Sequence, residues 1–160
     1  MDEMNDSFIE LFEKIYKRNH KVLDVGCGNG KLIEKLKRNY GAKIVGIDPY
    51  PILNKKEESK ECYELKGEEI NQLNQIFDII YTIKSLHHLN KPNLFLKNSK
   101  KVLNNKGHII IVDWKEEVNN GFNEDYFTLD EVRSKLKKQG YKIIQGKRKK
   151  RHWKILAKNK

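Results

Sequence analysis

Val22-Leu23-Asp24-Val25-Gly26-Cys27-Gly28-Asn29-Gly30 is the stretch that decides the fold. It reads as a short buried strand, a glycine-rich turn and the start of a helix at Lys31. Glycine at every second position lets the backbone take left-handed angles and approach a ligand closely. The helix behind the turn aims its unpaired N–H groups and the positive end of its dipole at the same point. The pattern is a strand–loop–helix cradle for a cofactor.

The spacing Gly26-x-Gly28-x-Gly30 departs from the G-x-G-x-x-G of pyrophosphate-binding dinucleotide folds. Asp24 stands two residues before the first glycine. A carboxylate there repels a pyrophosphate and suits an ammonium group. S-adenosylmethionine (SAM) carries an ammonium on its methionine end and has no phosphate. A second strand, Lys43-Ile44-Val45-Gly46-Ile47, ends at Asp48, which lies 18 residues past Gly30. In doubly wound sheets an acid at this distance accepts hydrogen bonds from the ribose hydroxyls.

The segments 22–30, 44–48, 77–89 and 107–114 resemble, in that order, the class I SAM-dependent methyltransferases. Within that superfamily they are most similar to the small-molecule group resembling the ubiquinone/menaquinone-biosynthesis methyltransferases. The resemblance runs from about residue 21 to the C-terminus. It implies an α/β, Rossmann-like, doubly wound sheet of seven strands, mostly parallel, with the last strand antiparallel beside the fifth. It also implies one domain over residues 1–160, with an N-terminal helix (1–19) covering the cofactor cleft of a core at 20–160. The cofactor implied is SAM, with S-adenosylhomocysteine as product. Its binding set is Asp24, Gly26, Cys27, Gly28, Gly30, Asp48, Pro49, Glu68 and Lys84. Glu68 enters through Lys66-Gly67-Glu68-Glu69, which is similar to a family turn whose carboxylate approaches the adenine amino group. Lys84 enters through Ile83-Lys84-Ser85-Leu86-His87-His88-Leu89, which resembles the S-x-L-H-H-L segment beside the reacting methyl.

Away from the cradle the elements alternate. Phe8, Ile9, Leu11, Phe12, Ile15 and Tyr16 recur at helical spacing, with Ser7 or Asp6 as cap and Arg18-Asn19-His20 as terminator. The spacing predicts a helix over 31–39, ended by Gly41. Pro49-Tyr50-Pro51 breaks the chain, and Tyr50 reads as a turn residue or an adenine stack. A short charged helix is expected over 52–60 and a weak strand over 62–65. The apolar run 76–82 suits the middle of a parallel sheet. A helix from Pro92, a strand over 108–112 and an irregular stretch over 115–127 follow. Thr128-Leu129-Asp130-Glu131 is a capping box that opens a helix ended by Gly140. Two strands, 141–145 and 152–157, are joined by Gly146-Lys147-Arg148-Lys149-Lys150-Arg151.

The 160 residues suit one domain with one sizeable core. No apolar run approaches the ~18 residues of a membrane span. The acidic, polar opening Met1-Asp2-Glu3-Met4-Asn5-Asp6 is not expected to be a signal peptide. Cys27 and Cys62 are the only cysteines and have no metal-ligand spacing, so Cys27 reads as a small unreacted residue and the site as metal-free. A reducing cytoplasm is the expected location. Nine basic residues and no acid follow Gly140, against a net charge of +11 for the whole chain. That asymmetry invites an anionic partner, RNA among them, at Lys147, Arg148, Lys149, Lys150 and Arg151.

Transfer of the SAM methyl is an in-line displacement, in which a protein contributes mainly by positioning. An O–H or N–H acceptor also needs a base, and His87, His88 and Asp113 are the candidate catalytic groups. Trp114 and Tyr81 read as an aromatic wall. No Asn-Pro-Pro-Tyr tetrad follows the fourth strand, which argues against amino-group methylation of DNA or protein glutamine. Three readings stay open: an enzyme methylating a small molecule, an RNA or protein methyltransferase guided by the basic hairpin, and a SAM-binding module without catalysis.

Overall fold

A computed structural model describes residues 2–51, 62–115 and 126–160. Seven strands form one sheet: β1 (Lys21–Val25), β2 (Lys43–Asp48), β3 (Cys62–Glu64), β4 (Phe77–Ile83), β5 (Leu103–Trp114), β6 (Tyr141–Arg148) and β7 (His152–Asn159). Their order is β3-β2-β1-β4-β5-β7-β6. β7 runs antiparallel to both of its neighbours and the other strands are mutually parallel. The strand order reverses between β1 and β4, the switch point at which open α/β sheets bind ligands.

Side chains alternate across the strands and so divide the core into two layers. Leu23, Ile80, Ile109 and Ile111 face α3 (Pro92–Lys101) and α4 (Leu129–Lys138), whose Phe95, Leu96, Val132 and Leu136 close that side. Val22, Ile79, Tyr81, Ile110 and Val112 face α1 (Glu3–Ile15) and α2 (Lys31–Tyr40), which contribute Phe8, Leu11, Phe12, Ile33 and Leu36. Because both faces are covered, the central strands are apolar at nearly every position.

Several boundaries differ from expectation. Asp2, not Asp6 or Ser7, caps α1: its carboxylate accepts the Met4 N–H at 2.9 Å. Ser7 is instead buried inside the helix, with its Oγ 2.8 Å from His152 Nε2. The helix ends at Ile15, short of Arg18, because Tyr16 is already extended. β5 begins at Leu103 rather than His108, and a register shift against β4 between Phe77 and Ile79 takes up the extra residues. β6 and β7 are longer than expected, so Lys147 and Arg148 lie within a strand rather than in the connecting turn. The expected helix over 52–60 and most of the irregular stretch over 115–127 lie outside the described residues.

Candidate functional site

The glycine turn leaves β1 at the carboxyl edge of the sheet. Gly26, at φ 90°, has no room for a side chain, because a Cβ there would collide with Ser85 Oγ and Cβ. The N–H groups of Gly26 and Cys27 both donate to the Ile47 carbonyl, at 2.8 and 3.1 Å, which fastens the turn to β2. The Gly28 N–H donates to Asp48 Oδ2 at 3.0 Å, and the Tyr50 N–H donates to Asp48 Oδ1 at 2.8 Å. Asp48 therefore ties the turn to the end of β2 and stays aimed along the edge. Gly30, also left-handed, delivers the chain into α2.

A cavity of about 470 Å³ opens in front of this turn, within the size range of small-molecule sites. Gly26, Asp48, Pro49, Glu68 and His88, all singled out by sequence, line it, together with Val25, Ile47, Tyr50, Leu65, Ser85 and Leu89. Cys27, Gly28, Gly30, Asp24 and Lys84 do not line it. Tyr50 is 84% exposed at the rim. The Glu68 carboxylate accepts the N–H groups of Asn90 and Lys91 at 3.1 and 3.2 Å, so it also anchors the loop that leads into α3.

Asp24 lies beneath the turn, buried, and accepts a hydrogen bond from Tyr81 Oη at 2.8 Å. Burial pushes its carboxyl up to about 7, against the opposing hydrogen bond from Tyr81 and with help from the nearby Asp48 charge. Burial, reinforced by the Asp24 charge, likewise holds the Tyr81 phenol well above its usual value. Tyr81 is therefore no cavity wall. Its ring lies 4.2 Å from that of Phe8 in a tilted contact within the core layer, and its hydroxyl serves as the partner of Asp24. The parallel register of β1 on β4 sets Asp24 beside Tyr81, and no local sequence signal marks the pair.

The three acid–base candidates gather at the ends of β4 and β5. His87 Nδ1 lies 2.8 and 3.0 Å from the two Asp113 carboxylate oxygens, and Asp113 also accepts the N–H groups of His87 and Trp114. The side chains of His87 and Asp113 are 3% and 1% exposed. The His88 ring lies 4.0 Å from that of His87 in a tilted contact, and His88 is the member that lines the cavity. Lys84 leaves β4 with a left-handed backbone (φ 60°), pairs with the Asp2 carboxylate and lies 5.8 Å from the Trp114 ring.

Two expectations are corrected. Cys27 is joined to Cys62 in a disulfide, with Cα atoms 6.6 Å apart. β3 pairs with β2 from Cys62 onward, which sets that residue beside the glycine turn, so cysteine usage no longer argues for a reducing compartment. The basic run is not a free loop. Arg148 donates to Asp130 at 2.7 Å, and the Arg151 carbonyl accepts the Lys115 N–H at 3.1 Å. The run does lie at the carboxyl edge, since β6 is parallel to β1. Among the described residues no group of His, Cys, Asp or Glu converges as metal ligands, and no helix is long and apolar enough to cross a membrane.

A family model described as methyltransferase domain matches residues 1–158. The ubiquinone biosynthesis O-methyltransferase of Pelagibacter ubique is 34% identical over 101 residues, which cover 59% of this chain and 42% of that protein. The tRNA U34 carboxymethyltransferase of Aliarcobacter butzleri is 31% identical over 109 residues, covering 61% and 36%. The chain thus spans less than half the length of these curated relatives. A solved SAM-dependent methyltransferase from Aquifex aeolicus superposes with a TM-score of 0.70 at 23% identity, covering 94% of this chain and 88% of that one. That likeness is one of fold.

Proposed function

The chain belongs to the methyltransferase domain family, and from that premise we propose that it is a SAM-dependent methyltransferase acting on a small-molecule acceptor. The observation that carries the reading is the cavity at the strand-order switch. It is walled by Gly26, where a side chain has no room, and by an Asp48 held by two backbone N–H groups. The residues present fit the cofactor. Among the described residues the buried Asp24 has no cationic partner, which an ammonium supplies, and the mouth offers carboxylates rather than a phosphate nest. Bound SAM contributes a methyl group activated on a positively charged sulfur.

The chain's own groups then bind and position. Asp48 takes the ribose hydroxyls and Gly26 gives backbone access, while Cys27, Gly28 and Gly30 shape the turn behind it. Pro49, Tyr50 and Glu68 flank the adenine end. Residues 1–160 act as one domain, with α1 flanking the cleft. We assign the acid–base role to the pair His87 and His88. Asp113 orients the His87 ring and His88 lines the cavity, so an acceptor proton can be received at an imidazole nitrogen. We place the enzyme in the cytoplasm; the Cys27–Cys62 disulfide is the observation against that placement, and thiol trapping in cell extracts decides it.

Calorimetric titration with SAM tests the core of the reading. Loss of a charged hydrogen-bond partner costs roughly 1.5–3 kcal/mol, so Asp48→Ala should weaken SAM by about one to two orders of magnitude. Equal affinities for variant and wild type would refute the assignment.

A second reading, an RNA substrate, is supported by the basic hairpin at the same carboxyl edge of the sheet and by the tRNA acceptor named for one relative. Replacing Lys147, Lys149, Lys150 and Arg151 by serine should then weaken RNA binding and flatten its salt dependence, since each neutralised phosphate adds about −0.7 to the log–log slope. Wild-type protein without measurable RNA binding leaves the small-molecule reading alone.

A further inference from the structure

Lys84 is the one lysine among three non-glycine residues with positive φ in the described chain; the other two, Asn19 and Asn74, are of a type that tolerates this conformation. A lysine held there is a local cost that the surrounding structure maintains, and such outliers cluster at ligand sites. Its position is specific. It ends the central strand β4, its N–H donates to the Val112 carbonyl at 2.9 Å, and the next residue, Ser85, lines the cofactor cavity.

Lys84 is not part of the cavity lining but lies next to it in the chain, its ammonium paired with the Asp2 carboxylate and 5.8 Å from the centre of the Trp114 ring. Trp114 directly follows Asp113, the residue that orients His87. The two side chains of the ion pair remain 38% and 34% exposed, so a solute can reach them. Asp113, the acid that directly precedes Trp114, is buried and already accepts two backbone N–H groups and an imidazole, so it does not compete for Lys84.

We propose that Lys84 and Trp114 form an acceptor subsite for a planar organic acid, with the Asp2 carboxylate standing where the acceptor's carboxylate binds. Lys84 supplies the charge and Trp114 the flat apolar face, while Asp2 is an intramolecular competitor displaced on binding. The inference rests on the methyltransferase reading and narrows its acceptor to a carboxylate-bearing compound.

The test uses benzoate as probe and benzamide as its neutral counterpart, titrated into the full chain with and without S-adenosylhomocysteine. The indole N–H resonance of Trp114 reports binding; the chain has two tryptophans, so assignment is simple. Benzoate should shift that resonance with at least tenfold higher affinity than benzamide. Lys84→Asn, a residue suited to the left-handed backbone, should lower benzoate affinity at least tenfold, and Lys84→Arg should keep most of it. Asp2→Asn should tighten benzoate several-fold by removing the competitor. Equal affinities of benzoate and benzamide for wild-type protein overturn the proposal however the variants fold. Unchanged benzoate affinity in Lys84→Asn, or no gain in Asp2→Asn, does the same. S-adenosylhomocysteine affinity, measured on wild-type protein by calorimetry, separates the two ideas: its absence refutes the methyltransferase reading whatever benzoate does.

Discussion

Asp24→Asn should remove a pH-dependent loss of stability that the wild-type chain carries. The Asp24 carboxyl is raised to about 7 by burial, from the 3.8 of an unperturbed aspartate. Between those values the folded chain holds a proton that the unfolded chain has released. Stability from this site is therefore complete below pH 3.8 and falls as pH rises, levelling off above about 7. At about 1.4 kcal/mol per tenfold change in proton affinity, the full loss is of order 4 kcal/mol. Roughly 2–3 kcal/mol of it falls between about pH 5 and pH 8. Asparagine keeps an oxygen to accept the Tyr81 hydroxyl but never ionises. Urea unfolding of both proteins at the two pH values isolates the site, because the other titrating groups cancel in the difference. The variant should gain on wild type by that amount on going from acid to alkaline buffer. A wild-type-minus-variant difference that does not change with pH would refute the argument that Asp24 is held proton-hungry by burial. Adding saturating SAM supplies a cation and should shrink the effect in wild type.

Two further outcomes follow from single contacts. Gly26→Ala combines a left-handed backbone with a Cβ driven into Ser85; it should abolish calorimetric binding of S-adenosylhomocysteine and lower the melting temperature, whereas Gly41→Ala, with open space around it, should affect only the melting temperature. Thr82 Oγ1 is buried with no hydrogen-bond partner among the described residues, so the near-isosteric Thr82→Val should stabilise the fold by about 1 kcal/mol, read as a higher urea midpoint with an unchanged slope.

The fold was legible because two short-range signals agreed. Apolar runs at Val22, Ile44, Ile79 and Ile109 marked buried strands, and helical spacing between them marked crossovers. Hydrophobic period and turn chemistry act over a few residues and can be read directly. The glycine turn and Asp48 were legible for the same reason. What escaped depended on distant neighbours. Tyr81 looked like a wall residue because nothing local reveals that Asp24, 57 positions earlier, lies beside it. Asp2 was passed over as a cap in favour of Asp6 or Ser7, and the Ser7 hydroxyl is claimed by His152 from the far end of the chain. The Cys27–Cys62 disulfide depends on β3 lying against β2. Arg148 reads as a free cation until α4 brings Asp130 to it.

The placement of β7 between β5 and β6 has a consequence for how the chain assembles. β6 is made before β7 yet has no partner in the sheet until β7 arrives, because β7 is the strand that joins it to β5. Until residues 152–159 are in place, the β5 edge and the whole of β6 present unpaired backbone groups, the arrangement that invites pairing with other chains. The final strand is thus also the seal. A nascent or proteolytically trimmed chain lacking it should be captured by chaperones or aggregate, although it already holds the glycine turn, Asp48 and every residue that lines the cavity.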